Sequence, residues 1–587
     1  MPRCPAPVNA AATAPRPARP SKVSKAEARD RHRRPPTQPC TCQRSRIERI
    51  KNRLAQPATL PASSLRRRLI GGTLLLAIAV PLLFMVTTGQ VWEDFLITFR
   101  HSRNWVDGLG LTYNPGDRVH GFTSPLNVLL PALGYALFPS ASFLPALWFQ
   151  SGVAIAILAA GLCVLVVRAA EAPETRLKLW ALLIPAFTVL QLKTTGFTVN
   201  GQEAGFVVGF LALGLLGAWR GFAAAPRFNG IIWGLLMWSR PDAFVYIAAL
   251  IIGAAFTRPK TWRTELPGGL RAALWAALVY APWLIFATAY YGSPVPNTVV
   301  AKALAGTSVV RPDLIGSLHS VARMPWMATY ESAGGWPGWL FVWANTLGLF
   351  TLAYGFLPGR DQLGRIASLS LVVVSAYLVM VGYRGFVFPW YCPPAGFLSA
   401  VTLACALHRF ARYSRGTRIS AQAVGAAMIA LLGWQFSAGI MVARLHQTEI
   451  EYGTRAEVGR WLARHVAADE NVSLEPLGYI GYYADAHMDD YPGLVSPRVI
   501  AITRAGTRDM FEVFFTLQPD WLVLRSREYK HLSQLPLTWS NYEVQAIFDA
   551  MPRLAAYGDL PVGFGILLAD RSFVILKKTG PVAPAGI

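Results

Sequence analysis

Apolar runs long enough to cross a bilayer recur between residues 69 and 440, and each is continuous rather than alternating. Such runs fold as membrane helices, because lipid offers no partner to an unsatisfied backbone amide. A β-barrel would show short segments of in–out alternation, which this sequence lacks. Of the 587 residues, 53% are hydrophobic and only 15% charged, with a mean hydropathy of +0.35. A water-soluble chain of this length would divide into several polar-surfaced domains instead.

Charge decides how the runs thread. Arg66, Arg67 and Arg68 immediately precede the first run, so residue 89 emerges on the non-cytoplasmic side. The next apolar stretch, 125–138, would make a helix of about 21 Å, against a hydrocarbon core of about 30 Å. If it lies in the interface, the spans are 69–88, 146–167, 179–195, 204–219, 228–239, 242–257, 269–289, 336–357, 366–382, 394–408 and 420–440. Every cytoplasmic loop is then basic, from Arg168, Arg176 and Lys178 to Arg409, Arg412, Arg415 and Arg418. This predicts about eleven spans, with interfacial helices in the first outer loop.

Residues 1–68 carry 17 Lys+Arg against 3 Asp+Glu, much of the chain's net charge of +23. The segment is rich in Pro, Ala and Arg and poor in large apolar residues, which predicts a disordered cytoplasmic tail. No aromatic residues interleave the charges, so nucleic acid is not expected as a partner. Three of the six cysteines lie in the tail and two within apolar runs, which leaves only Cys392 for an oxidising compartment and no disulfide framework. Residues 441–587 read differently: "RAEVGRWLARHVAADE" as an amphipathic helix, "NVSLEPL" and "DWLVLRS" as short buried strands. The expected organisation is the tail, an all-α polytopic membrane domain at 69–440, and a small extracytoplasmic α/β domain at 441–587.

In this threading, polar residues outside the basic loops gather at the outer pole. Glu93 and Asp94 open the first outer loop. Glu203 lies in "NGQE"; Arg240 and Asp242 flank Pro241; Asn297 and Lys302 follow the seventh span; Arg384, Trp390 and Tyr391 sit between the ninth and tenth. Ionisable groups at a membrane boundary are costly unless they are paired or hydrated, and are functional candidates for that reason. The set suits glycosyl transfer from a lipid-phosphate sugar. Arg240, Lys302 or Arg384 would meet the phosphate, and Asp94 or Glu93 would serve as base or stabilising carboxylate. Phosphate already leaves well, and no nucleotide-binding loop is present.

The acidic pair followed by "FLITFRHSRNWVDGLGLTYNPGDRVHGFTSPLNVLL" resembles the first outer loop of GT-C-type membrane glycosyltransferases. The nearest group contains the mycobacterial terminal β-(1→2) arabinofuranosyltransferase and related bacterial arabinosyltransferases. "NGQE", "SRPDAF", "YYGSPVPNTVVAK", "FPWYCPPAGFL" and the segment 458–497 resemble further landmarks in the same order. The resemblance spans about residues 69–500. It implies a decaprenyl-phosphate-arabinofuranose donor, a catalytic acid in the first loop, and a periplasmic active site in the bacterial inner membrane. It also places 125–138 as an interfacial helix. An Asp is more usual at the first position of the pair, where this chain has Glu93.

Each candidate has a plainer alternative. The acids can cap a helix or hold a divalent cation, although two carboxylates alone make a poor cage. Arg240 can pair with Asp242, Glu203 can satisfy free amides at a helix N-terminus, and Tyr391 can belong to an interfacial aromatic belt. His120 reads as structural, and "DAHMDDY" (485–491) as a solvated loop whose spacing fits no metal cage. The competing functions are a flippase or transporter of lipid-linked sugar, and a scaffold. A transporter places polar residues near mid-bilayer and is often built from repeats; here the charges sit at the pole and no repeat is clear.

Overall fold

The computed structural model describes residues 62–173, 175, 177–304, 313–328, 334–359, 361–384, 387–534 and 541–580, the side chains of residues 62, 383 and 384 excepted. The predicted disordered tail therefore lies outside the described residues up to position 61.

The eleven predicted runs fall within helical segments, to within two residues at their ends, except that 179–195 is broken at Gln191 into two helices. Among the described residues, seven helices are long and apolar enough to cross a membrane: Ser63–Thr88, Leu144–Glu171, Trp262–Tyr291, Gly338–Phe356, Gln362–Gly382, Pro389–Phe410 and Arg415–His465. A pair bent by 65°, Lys178–Leu190 and Leu192–Val199, would make an eighth. The runs at 204–219, 228–239 and 242–257 form the shorter helices Ala204–Arg220, Pro226–Ser239 and Ala243–Thr257. The stretch 125–138 is the helix Leu126–Leu137, whose 12 residues are too few to cross.

Local chemistry sets these boundaries. Gly89 closes the first helix in the left-handed region at φ 58°. Pro241 stops the helix Pro226–Ser239 and leaves Arg240 extended. Leu144–Glu171 and Ala204–Arg220 meet through glycines: a Cβ on Gly161 would lie 2.2 Å from the Gly209 carbonyl oxygen. That close approach fixes the helix behind Glu203.

The predicted boundary at 440 is no break in the chain. Helix Arg415–Leu445 runs through a π-helical segment, His446–Arg455, into Ala456–His465. A five-stranded sheet follows, in the order β2-β1-β3-β5-β4, where β1 is Asn471–Leu474, β2 His487–Asp490, β3 Trp521–Arg525, β4 Tyr542–Asp549 and β5 Ser572–Lys578. Strand β1 pairs parallel with β2 and β3, and β5 pairs antiparallel with β3 and β4. The "DAHMDDY" segment corrects the expectation of a solvated loop. It contains β2, and Asp490 is buried because its carboxylate accepts from the amides of Gly493, Leu494 and Val495.

The sheet's core is shared with the first interhelical loop. Val472, Leu474, Val523, Ile575, Leu462 and Ile480 pack with Ile97 and Tyr113. Arg100 donates to the carbonyls of Gly481 (2.7 Å) and Ala486 (3.0 Å). The loop and the C-terminal sheet thus form one packed unit.

Candidate active site

The helix Glu93–Val106 starts shortly after the first membrane helix ends at Thr88. Trp92 precedes it in extended conformation, and the Trp92 amide donates to the Asn200 carbonyl at 2.8 Å. Both acids lie in the first turn, where the helix dipole favours negative charge. Consecutive helical residues diverge by about 100° around the axis, so the two carboxylates face different surroundings.

Glu93 faces the C-terminal unit. One oxygen lies 2.9 Å from Arg455 Nη1 and the other accepts from the Gly478 amide at 3.1 Å. Arg455 also holds Glu451 at 2.8 Å and pairs with Asp570. Arg525 pairs in turn with Asp570, Glu475 and Glu528. Five carboxylates therefore surround two guanidinium groups. Burial pushes Glu93 up to about 7; Arg455 opposes the rise, and Glu475, Asp570 and Asp94 reinforce it.

Asp94 is different. Among the described residues it makes no hydrogen bond or ion pair. Burial raises its pKa above the ordinary 3.8, Lys302 opposes the rise, and Glu203 and Glu475 add to it. Lys302, on the helix Asn297–Leu304, is reached by solvent, yet enough protein surrounds it that desolvation lowers its pKa from 10.5; Asp94 counteracts this. Its ammonium stands 5.2 Å from the Phe388 ring and 5.8 Å from that of Trp390, which stack on each other at 4.5 Å. Trp390 meets Trp92 edge-on at 5.8 Å, and Trp92 meets Phe197 at 5.2 Å. Behind this wall lies a largely apolar cavity bordered by Phe84, Trp92, Lys193, Phe197 and Asn200. The Asn200 side-chain nitrogen is buried there without a partner.

Arg240 is buried and already neutralised. It pairs with Glu203, grips Asp242 through Nε at 2.8 Å and Nη2 at 3.1 Å, and lies 4.6 Å over the Tyr391 ring. Tyr377 donates to Asp242 at 3.2 Å, and Asn127 donates to Glu203 at 2.9 Å. A buried arginine held by two carboxylates fixes helix ends, and removing one partner costs about 3–5 kcal/mol. Asn297 ties its helix to the C-terminal unit by donating to Gly493 O (2.7 Å) and Leu494 O (3.1 Å). Arg384 ends the helix Gln362–Arg384, and its side chain lies outside the described residues.

The structure therefore brings Asp94, Lys302, Glu203, Arg240, Asp242 and Tyr391 to one pole but divides them. Asp94 is partly exposed and Lys302 is exposed, while the other four are held together by ion pairs, hydrogen bonds and a ring contact. Glu93 is taken up by Arg455 and Gly478, and among the described residues no group of three His, Cys, Asp or Glu is placed to hold a metal ion. The sequence reading missed Trp92, Arg455 and Gly478. Trp92 directly precedes the pair and was open to notice; Arg455 and Gly478 lie more than 360 positions away and carry no local signal.

The family described as Domain of unknown function (DUF8728) matches residues 442–566. No curated protein matches the sequence. Among solved structures, the oligosaccharyltransferase of Archaeoglobus fulgidus in its apo form is similar with a TM-score of 0.51 at 14% identity, over 84% of this chain and 74% of that one. ArnT from Cupriavidus metallidurans in the apo state gives 0.50 at 15%, over 86% and 98%. The same ArnT bound to undecaprenyl phosphate gives 0.49 at 13%, over 88% and 98%. The chain has the fold of the GT-C glycosyltransferases, a helical membrane domain joined to a small C-terminal sheet region.

Proposed function

We propose that this protein is a GT-C glycosyltransferase. It transfers a sugar from a polyprenyl-phosphate donor to an acceptor on the side of the membrane where residues 93–106 lie. The observation that carries the reading is the Asp94–Lys302 arrangement: on a GT-C fold, a carboxylate without a hydrogen bond or ion pair among the described residues interacts electrostatically with an exposed ammonium, whose aromatic neighbour Trp390 meets Trp92 at the wall of an apolar cavity. Lys302 meets the donor phosphate, and the apolar cavity behind Trp92 takes the first isoprene units. Asp94 takes the proton of the acceptor hydroxyl as its oxygen bonds to the anomeric carbon. The carbon–phosphate oxygen bond breaks, and its electron pair leaves with the polyprenyl phosphate. Lys302 balances the charge that develops on that phosphate. Glu93 and the Arg240 network hold the surrounding helix ends and do not receive the acceptor's proton.

Within this reading the sugar is arabinofuranose and the donor decaprenyl-phosphate-arabinofuranose, supported by the first-loop sequence and the ordered landmarks that follow it. The acceptor is an extracytoplasmic glycan, lipid or protein, and the membrane is the bacterial inner membrane with the site on its periplasmic face. The positions of Asp94 and Lys302 at a pole favour an enzyme over a flippase, whose polar path would run through the bilayer.

The test is purified protein with labelled polyprenyl-phosphate pentoses and hexoses and candidate acceptors, read by product mass. Asp94→Asn should lose activity by about 10²–10⁴-fold, the usual contribution of a general base, with its melting curve unchanged. Transfer at the wild-type rate by Asp94→Asn would remove the base from the mechanism, and a lipid-linked sugar moved across vesicles without transfer would favour the flippase.

A further inference from the structure

A second cavity, of about 270 Å³, lies where the membrane helix Trp262–Tyr291 ends. Arg118, His120, Tyr291, Ser293, Asn297 and Arg504 are among the residues around it, and no carboxylate lines it. Among the described residues neither Arg118 nor Arg504 is ion-paired; Arg118 lies 5.3 Å over the Tyr290 ring, and both side chains are exposed. His120 is 3% exposed, and neither of its ring nitrogens has a hydrogen-bond partner. Its ring stacks on Tyr291 at 4.8 Å and meets Phe122 and Trp283 edge-on. Burial pushes its pKa down to about 3, so it stands neutral, with one nitrogen a donor and the other an acceptor. A buried polar group with no partner is costly, and a ligand oxygen in the cavity would satisfy it.

The surroundings name the ligand. Helix Trp262–Tyr291 exposes Leu270, Leu274, Leu278 and Ile285 along its length, the mark of a face turned to lipid. Val295 and Val299 are exposed beside the cavity. Its mouth therefore lies at the lipid–water boundary, with two unpaired arginines where a headgroup phosphate would sit. Arginine suits phosphate because its planar donors meet two oxygens at once.

We propose that this cavity binds the phosphate of an anionic glycerophospholipid from the adjoining leaflet, held by Arg118 and Arg504 with the His120 imidazole as the inner donor. Asn297 and Val300 line it while Lys302, two residues further along the same helix, faces Asp94. The bound lipid would thus rest against the element that carries the candidate site's lysine. The inference uses no sugar chemistry and stands or falls apart from the transferase reading.

The test is lipid retention by the full-length protein in native mass spectrometry, with phosphatidylglycerol or phosphatidylcholine supplied in mixed micelles. The wild type should retain phosphatidylglycerol selectively. Arg118→Gln with Arg504→Gln should lower that retention about thirtyfold, the worth of two arginines at a membrane surface. Both positions are exposed, so the variant should melt like the wild type. His120→Phe, which keeps the ring stack, should weaken retention in the same direction. Equal retention of phosphatidylcholine, or an unchanged double variant, would overturn the site. Displacement of the lipid by inorganic phosphate at matched concentration would assign it to a soluble anion and overturn the lipid reading.

Discussion

Glu93 and Asp94 are adjacent, yet one is tethered and the other free. Glu93 has both oxygens on Arg455 and the Gly478 amide, and Asp94 makes no hydrogen bond or ion pair among the described residues. If Asp94 is the base and Lys302 the phosphate partner, the rate must depend on pH at two limbs. Asp94 acts only when ionised; because its pKa is raised above 3.8, activity falls with acid earlier than for an ordinary aspartate. Lys302 acts only when protonated; because its pKa is lowered from 10.5, activity also falls on the alkaline side before an ordinary lysine would titrate. Profiles of kcat/KM against pH should be bell-shaped. Lys302→Arg should remove the alkaline limb and leave the acid one, since guanidinium does not titrate in that range. A single limb unchanged by Lys302→Arg would detach the lysine from the reaction. The sequence made both acids visible, because carboxylates beside a membrane span stand out against so apolar a chain. It could not say which was free: that depends on Arg455, which pattern alone does not link to position 93. Arg240 was visible for the same reason, as was Asp242 two residues on as its partner; its pairing with Glu203 was not, because those two meet only through packing.

The helix Glu93–Val106 is held against the helix Leu477–Ala484, and the contact requires a glycine. A Cβ added at Gly478 would lie 2.3 Å from Glu93 Cγ and 2.4 Å from its backbone oxygen. The backbone oxygen cannot swing aside, so Gly478→Ala must push the helix start away, and Asp94 with it. Overpacking of this kind costs about 1–3 kcal/mol, and displacement of a catalytic group by about 1 Å can cost about 10²-fold in rate. The variant should melt lower and lose turnover disproportionately, although it alters no charged group; comparing its melting temperature and kcat with the wild type checks this. Full activity would mean that the first turn is not held by this contact. The span helices, Leu126–Leu137, β1 and β3 were legible, because their periodicity and length are local properties. The π-helical join at His446–Arg455 was not, since a span followed by an amphipathic stretch does not announce that the helix continues. Strand β2 was hidden by its own acids: Asp489 and Asp490 read as solvated, but the amides of residues 493–495 and the side chains of Ser496 and Arg498 compensate their burial.

The packing of the first loop on the C-terminal sheet constrains the threading of the whole chain without reference to charge. Arg100 reaches the carbonyls of Gly481 and Ala486, Glu93 reaches Arg455, and Ile97 shares a core with Val472. Residues 93–106 and 471–578 must then lie on the same side of the membrane, so the chain crosses it an even number of times between residues 88 and 456. Six long helices lie in that interval among the described residues; the bent pair Lys178–Val199 makes seven, which has the wrong parity. Counting the short helices Ala204–Arg220, Pro226–Ser239 and Ala243–Thr257 as well gives ten, and with the first helix eleven in all, in agreement with the basic loops. Adding Leu126–Leu137 would again make the number odd. Short spans are tolerated where neighbours shield their ends or the bilayer thins locally, and Ala204–Arg220 is buried along almost its whole length. Reporter fusions after residues 172, 223 and 260 should therefore all read cytoplasmic, and fusions after 292 and 580 should read on the opposite side. A fusion after 223 on the same side as one after 580 would mean that the short helices do not cross in this order. The shared parity of loop and sheet would then need another pair of spans to preserve it.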